Sequence, residues 1–140
     1  MKLRTPVLVV AAVIAREDRH ILICQRKSTD RHSLKWEFPG GKVEPEESPR
    51  DALRRELREE LDIEAEIGQE ISRYEYQYPG RTPILLIFFQ VERYTGEMRN
   101  RIFEQIQWES PADLPSFDFL DGDIDFVRRL ARNHARSAAG

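Results

Sequence analysis

The segment 48–62 carries the strongest helix signal in the chain and restricts the fold more than any other feature. Ser48 can cap a helix, Pro49 suits the first helical position, and Asp51 completes a start that resembles a capping box. Three leucines then recur at intervals of four residues, which predicts one buried helix face. They are Leu53, Leu57 and Leu61. The rest of the chain must therefore supply an apolar layer against which this helix packs.

Short apolar runs before and after the helix predict the strands of that layer. The runs are 7–15, 20–25, 36–38, 71–78, 84–91 and 106–108. The first two predict a hairpin, because a short polar segment separates them. Runs 71–78 and 84–91, joined by the turn Pro79-Gly80, predict the centre of a sheet.

A second amphipathic helix is predicted from about 121 to 135, followed by a frayed tail at 136–140. Strands and helices are interleaved along the chain, and no internal repeat or linker interrupts them. We therefore expect a single domain over residues 1–140. Its predicted class is α/β (α+β), with a mixed β-sheet between helical layers.

Charge and cysteine content exclude several classes of protein. The net charge of −3 argues against binding to a nucleic-acid polymer, which needs a basic surface. No apolar segment is long enough to span a membrane. The single cysteine, Cys24, lies in an apolar run and cannot form an internal disulfide, which suits a reducing compartment. We expect a cytoplasmic protein without a membrane partner.

The 48–62 helix also places three carboxylates on one side. Glu56, Glu59 and Glu60 are spaced by three and four residues, so they converge beside the leucine stripe. A hard divalent cation such as Mg²⁺ or Mn²⁺ would relieve their repulsion, since it prefers oxygen ligands. Alternatively the face is solvated, with Arg55 pairing to Glu59. The helix considered alone favours the solvated face.

The residues around the helix change that balance, because they resemble the Nudix box. This motif consists of Gly, five residues, Glu, seven residues, Arg-Glu, an aliphatic residue, any residue, Glu-Glu, any residue, Gly and an aliphatic residue. Gly41, Glu47 and the run 55–63 match every specified position except one. The exception is Asp62, where the family has Gly. We expect Asp62 to adopt the left-handed conformation that ends the helix.

The resemblance implies a Nudix-type α/β/α sandwich and a metal-dependent hydrolase of diphosphate linkages. In this family the residues that match Glu56, Glu59 and Glu60 bind Mg²⁺, for which Mn²⁺ can substitute. The carbonyl that matches Gly40 often adds a ligand. Many members carry a further glutamate before a later strand, and Glu104 is the candidate for it here.

Two other positions of the box have supporting roles in the family. The residue at Glu47 usually pairs with the one at Arg55, and this pair supports the site. Glu56 is the leading candidate to take a proton from the attacking water.

The segments 36–44 and 91–97 extend the resemblance over nearly the whole chain, and it is closest to the MutT-like branch and the (d)CTP pyrophosphohydrolases. Those enzymes release pyrophosphate from nucleoside triphosphates, some of them oxidised or modified, such as 8-oxo-dGTP. The likeness implies that Arg26 approaches the nucleotide, that Phe38 lines the base pocket and that Asp123 reads the base edge. Considered without the resemblance, Arg26 also fits a surface arginine, Phe38 a core residue and Asp123 an acid at a helix N-terminus.

Two alternatives compete with a triphosphate substrate. Pro79 falls near the position of a proline typical of ADP-ribose pyrophosphatases, although a hairpin turn also explains it. A Nudix-fold sensor would bind a nucleotide without cutting it, but such proteins usually lose box carboxylates, and this chain keeps them. The expected assembly is a monomer or a homodimer.

Overall fold

The computed structural model describes residues 5–139, with side chains described as far as residue 136. The strands are β1 (Val7–Ile14), β2 (Ile21–Gln25), β3 (Trp36–Glu37), β4 (Gly40–Lys42), β5 (Glu64–Glu66), β6 (Glu70–Tyr76), β7 (Ile84–Val91), β8 (Arg93–Thr95) and β9 (Gln105–Glu109). The helices are α1 (Pro49–Leu61) and α2 (Ile124–Ala139). Two 3₁₀ helices, Pro111–Ser116 and Asp121–Asp123, lie between β9 and α2.

The main sheet has the strand order β4-β1-β7-β6 and is built on the parallel pair β1 and β7. Both of these strands are nearly continuous apolar runs, as expected of parallel strands buried on two faces. β4 and β6 pair antiparallel on the outside, so the sheet is mixed, as predicted. The predicted β6–β7 pair exists, but β6 is an edge strand and the centre is β1–β7.

The hairpin predicted from runs 7–15 and 20–25 is wrong beyond its first bridge. Ala15 pairs with Ile21, and then the strands diverge. One edge of β1 is occupied along its length by β7, and β4 with the Pro39 carbonyl occupies the other over Val9–Ala12, so β2 meets β1 only at its end. β2 instead forms a second sheet, β3-β2-β9. A two-stranded ribbon, β5-β8, was not predicted.

Helices cover both faces of β1, which confirms the predicted sandwich. Val10, Ala12 and Ile14 pack in the same core cluster as the leucine stripe of α1. Ala11 and Val13 point the other way and pack with residues of α2. α2 extends to Ala139 rather than ending near residue 135, so most of the predicted tail is helical; Gly140 lies outside the described residues.

Both predicted ends of α1 are confirmed. The Ser48 Oγ accepts a hydrogen bond from the Asp51 N–H at 3.1 Å. Asp62 has φ 57° and ψ 35°, and its N–H donates to the Arg58 carbonyl. Asp62 therefore takes the left-handed conformation for which the family uses glycine.

The Pro79-Gly80 segment forms the turn between β6 and β7. The Arg81 N–H donates to the Tyr78 carbonyl at 3.0 Å, and Gly80 has φ +73°. The proline therefore has a structural explanation in this turn. Among the residues that the structure describes, no helix is long and apolar enough to cross a membrane.

Substitution of Asp62 tests the strain at the end of α1. We expect Asp62→Gly to raise the free energy of unfolding by about 0.5 kcal/mol, since glycine adopts positive φ without a Cβ penalty. Asp62→Ala should lower it by about 1 kcal/mol. Both variants lose the exposed 3.7 Å ion pair to Arg101, so that loss cancels in the comparison. Urea unfolding measures the difference, and an alanine variant as stable as the glycine variant would contradict it.

Candidate active site

Two glycines of β4 allow the strand to pass directly beneath the carboxylates of α1. A Cβ on Gly41 would lie 2.6 Å from the Glu56 carboxyl carbon, and one on Gly40 would lie 2.0 Å from the Val10 carbonyl oxygen. The Gly40 N–H donates to Glu60 Oε1 at 3.2 Å. A side chain at either glycine would therefore displace the strand or the carboxylate beside it.

Glu60 is buried on the inner side of α1, with 6% of its surface exposed. Its burial and the adjacent Glu56 carboxyl raise its pKa well above the usual value, while the Gly40 N–H opposes that shift. The Glu56 side chain is 16% exposed. Two carboxyl groups that share such a site need a proton or a cation to offset their repulsion. An oxygen-only donor set of this kind fits a hard divalent cation such as Mg²⁺.

Arg55 connects the carboxylates to β4 and to the loop before α1. Its Nε and Nη2 donate to the two Glu47 oxygens at 2.8 and 3.0 Å. Its Nη1 donates to Glu56 Oε1 at 2.9 Å, and Nη2 also donates to the Lys42 carbonyl. The bidentate pair lowers the pKa of Glu47 and raises that of Arg55. The Glu47–Arg55 pairing implied by the resemblance is present.

Glu59 lies apart from the buried pair. Its side chain is 58% exposed and its carboxylate lies 3.5 Å from Arg55 Nη1, which is the contact expected of a solvated face. In the part of the chain that the structure describes, no group of three acidic, histidine or cysteine side chains encloses an ion position. The structure thus brings Glu56, Glu60 and Gly40 together, with Glu59 at the rim.

Glu104 lies in the loop before β9 and is exposed. Its N–H donates to the Gln25 carbonyl at 2.9 Å. Among the described residues, its carboxylate forms no ion pair, and the site gains no contact from it in this conformation. Its role as a metal ligand stays a prediction.

A second group of acidic side chains forms where β3 meets the segment before α2. The Trp36 N–H donates to the Asp118 carbonyl and the Leu120 N–H donates to the Trp36 carbonyl, each at 2.9 Å. This pairing brings Asp123 beside Glu37, although the two are distant in sequence. Asp123 is 6% exposed. Burial and then the Glu37 charge raise its pKa well above the usual value, and the Phe38 N–H partly offsets them.

Arg26 is held against the second group rather than free at the surface. Its Nη1 donates to Glu37 Oε2 at 3.1 Å, and its Nε donates to the Arg31 carbonyl at 2.7 Å. Burial raises the pKa of Glu37 to about 7, although Arg26 opposes the shift. Sequence reasoning gave Glu37 no role; its signal was a carboxylate between the aromatic residues Trp36 and Phe38.

Phe38 is a core residue in this structure, with 3% of its surface exposed. Its ring stacks on Phe119 at 5.4 Å and meets Phe88 and Phe126 edge-on. This packing supports the core interpretation of Phe38; its contact with a base stays a prediction.

A cavity of about 650 Å³ lies between α2 and the turn after β1, and no predicted site residue lines it.

Comparisons with known proteins agree with this fold. A family profile described as NUDIX domain matches residues 5–130. The chain is 34% identical over 126 residues to an 8-oxo-dGTP diphosphatase of Escherichia coli, covering 89% of this chain and 97% of that protein. It is 38% identical over 131 residues to a CTP pyrophosphohydrolase of Escherichia coli, covering 93% and 96%.

A solved structure is also similar over nearly the whole chain. The solution structure of the E. coli ORF135 protein matches with a TM-score of 0.83 and 36% identity, covering 99% of this chain and 97% of that one. Nearly all of the described fold therefore has a counterpart in a protein of known structure.

The buried carboxyl pair predicts an unusual stability effect. A carboxyl whose pKa is raised in the folded state destabilises the fold progressively as the pH rises above its unfolded value. Without divalent cations at pH 8, Glu60→Gln should therefore melt at a higher temperature than the wild type, and the gain should vanish near pH 4. Mg²⁺ should stabilise the wild type more than the variant.

Exposed Glu59 provides the matched control for this experiment. Without cations, Glu59→Gln should change the melting temperature little at either pH. Differential scanning fluorimetry with and without Mg²⁺ measures all three proteins. A metal-free Glu60→Gln protein that melts below the wild type at pH 8 would contradict the prediction that the Glu60 carboxyl destabilises the fold at that pH.

Proposed function

We infer that this chain, which belongs to the NUDIX family of hydrolases, converts a nucleoside triphosphate to the monophosphate and pyrophosphate. The observation that carries the chemistry is the buried Glu56–Glu60 carboxyl pair above Gly40. The observation that favours a triphosphate is the similarity, over most of the chain, to a diphosphatase and a pyrophosphohydrolase of nucleoside triphosphates.

Mg²⁺, or Mn²⁺ in its place, is the proposed cofactor, held by Glu56, Glu59, Glu60 and the Gly40 carbonyl. Such a cation neutralises phosphate charge and lowers the pKa of a bound water. The buried pair supports this assignment, because a divalent charge offsets the repulsion that burial imposes on it. Glu59, exposed at the rim, must turn away from Arg55 to join them.

The chain's own residues then orient and deprotonate the nucleophile. Glu56 accepts the proton of the attacking water, and hydrolysis breaks the bridge between the α- and β-phosphates. Arg55 fixes one oxygen of Glu56 by its 2.9 Å hydrogen bond. Glu47 holds Arg55 in a bidentate pair, so its effect on catalysis is indirect. Glu104 is the proposed additional ligand from the loop before β9.

On this proposal, the base is read by the second group of acidic side chains, which contains Glu37 and Asp123. Asp123 accepts a hydrogen bond from an exocyclic amine of cytosine or guanine, which fits both 8-oxo-dGTP and a (d)CTP. Arg26 and Phe38 are the proposed neighbours of the bound nucleotide. The buried position of Asp123 supports a selective role, because a buried carboxyl left without a partner by the wrong base is costly.

The alternatives have less support. The hairpin turn accounts for Pro79, which was the feature that suggested ADP-ribose. The chain keeps Glu47, Glu56, Glu59 and Glu60, which a nucleotide sensor would not need. A nucleotide substrate favours the cytoplasm, and we expect a monomer or a homodimer there.

The activity itself is the first test. We expect Mg²⁺-dependent release of pyrophosphate, not phosphate, from one or more of dCTP, 5-methyl-dCTP and 8-oxo-dGTP, with ADP-ribose and dinucleoside polyphosphates as poorer substrates. Glu56→Gln should lower kcat roughly 10²- to 10⁴-fold, because the general base is lost. Glu59→Gln and Glu60→Gln should each abolish metal-dependent turnover with the fold intact.

Glu66→Gln is the control, since Glu66 is an exposed acid on β5. It should keep wild-type kcat and KM. Phosphate as the product would rule out the pyrophosphohydrolase, and wild-type rates from both Glu59→Gln and Glu60→Gln would place the metal elsewhere.

The base assignment is tested by Asp123→Ala. Because the carboxyl would contact the base and not the phosphates, this variant should blunt the preference among bases more than it weakens triphosphate binding. The ratio of kcat/KM between the best and worst substrates of the same panel measures that preference. An unchanged ratio would show that Asp123 does not read the base.

A further inference from the structure

Two tyrosine hydroxyls hold the backbone of Gly122, the residue before Asp123. The Tyr74 hydroxyl donates to the Gly122 carbonyl at 2.6 Å. The Gly122 N–H donates to the Tyr78 hydroxyl at 3.0 Å. Both tyrosines come from β6 or the turn that follows it, more than forty residues away in sequence. The peptide groups on both sides of Gly122 are therefore fixed by one distant element.

The absence of a side chain at Gly122 makes this arrangement possible. A Cβ there would lie 3.0 Å from the Tyr78 hydroxyl, 3.3 Å from the Tyr76 ring and 3.4 Å from the Leu86 side chain. Gly122 is not among the described glycines with positive φ. Close approach of the tyrosines, and not an unusual backbone conformation, is thus the reason for glycine at this position.

Asp123 depends on this backbone for its position. It lies in a 3₁₀ helix of three residues that leads directly into α2, so Asp123 is held by α2 on one side and by the Gly122 turn on the other. The Tyr74 bond is made to the carbonyl of the same peptide group whose N–H belongs to Asp123. That N–H donates to the Leu120 carbonyl at 2.9 Å. A shift of Gly122 would therefore carry the buried carboxyl with it.

We propose that Tyr74 and Tyr78 are positioning residues that set base selectivity by fixing Asp123 through Gly122. This inference rests on the proposed function, in which Asp123 reads the base. A hydrogen bond to a base edge tolerates displacements of only a few tenths of an ångström, so anchoring of the carboxyl controls discrimination more than it controls hydrolysis. Neither tyrosine belongs to the carboxylate site on α1.

Tyr78 extends the arrangement to the loop that follows β2. Its ring lies 4.9 Å from the His32 ring and 4.9 Å from the Tyr76 ring. The loop of His32 also contains Arg31, whose carbonyl accepts the Arg26 hydrogen bond. Tyr78 therefore contacts both the Asp123 turn and the loop that anchors Arg26, which are the two segments proposed to meet the nucleotide.

Removal of the two hydroxyls tests the proposal while keeping both rings. Tyr74→Phe and Tyr78→Phe should each lower the kcat/KM ratio between best and worst bases roughly 2- to 10-fold, the range expected for one hydrogen bond. The loss should fall mainly on KM for the preferred base, with kcat and Mg²⁺-dependent pyrophosphate release retained. Thermal unfolding verifies that each variant is folded.

Tyr76→Phe is the matched control. Tyr76 lies on the same face of β6 and its ring approaches Gly122, but its hydroxyl makes no hydrogen bond among the described residues. It should keep wild-type selectivity. Loss of selectivity in Tyr76→Phe equal to that in the other two variants would indicate a general packing effect and overturn the proposal.

A second pair of variants tests the contact itself. Gly122→Ala should lower selectivity by displacing the turn. If Gly122 and Tyr78 act through one contact, the Gly122→Ala/Tyr78→Phe double variant should lose less selectivity than the product of the losses in the two single variants. Full multiplicativity, as expected of independent sites, would contradict the proposal.

The possible failures are distinguishable. Unchanged selectivity in the Tyr74→Phe/Tyr78→Phe double variant, together with lost selectivity in Asp123→Ala, overturns the tyrosine role and leaves the proposed function standing. Unchanged selectivity in Asp123→Ala overturns the base reader and the tyrosine role together. Release of phosphate from every substrate overturns the proposed function itself.

Discussion

The packing of α1 on β4 is the constraint on which the rest of the site depends. The leucine stripe anchors α1 in the core against β1, and this fixes how far the helix can rotate. Glu60 follows from that rotation, because it lies three residues after Leu57 and seven after Leu53, at the edge of the buried leucine stripe. Gly41 then makes room for Glu56, and Gly40, which lies close against the β1 backbone, donates its N–H to Glu60. The fold itself therefore supplies the packing that confines two carboxyl groups, whose repulsion a proton or a cation can offset.

Local elements were predictable because their causes are local. The Ser48 cap, the leucine spacing and the left-handed Asp62 all act within one or two turns of helix. Strand partners were less predictable. Whether β2 pairs with β1 depends on whether β4 and β7 already occupy both edges of β1, and no pattern within 7–25 contains that information. In the same way, no pattern within 71–91 shows that β7 also pairs with β1, a pairing that places β7 inside the sheet and leaves β6 at its edge.

The candidate site likewise has features that could be predicted from the sequence and features that could not. Helical spacing predicts the Glu56–Glu60 neighbourhood, and the resemblance to the box implies the Glu47–Arg55 pair; all four residues lie on α1 or just before it. Helical spacing left open whether Glu59 joins this neighbourhood or pairs with Arg55 on a solvated face, and in the structure Glu59 lies at the exposed rim beside Arg55. The group around Asp123 was visible only through the resemblance, because it is assembled by pairing between β3 and the segment 118–120.

The two acidic groups are joined by a single short segment. Residues 36–42 carry Glu37 on one side of the site and the two glycines beneath α1 on the other. The charge of Glu37 contributes to the raised pKa of Glu60 and also to that of Asp123. Glu37 therefore lies close enough to both carboxyl groups for its charge to raise their pKa values, and Arg26 forms a 3.1 Å ion pair with it. Glu37 and Asp123 both lie outside the box, so the box motif alone indicates the reaction and carries no information about the base.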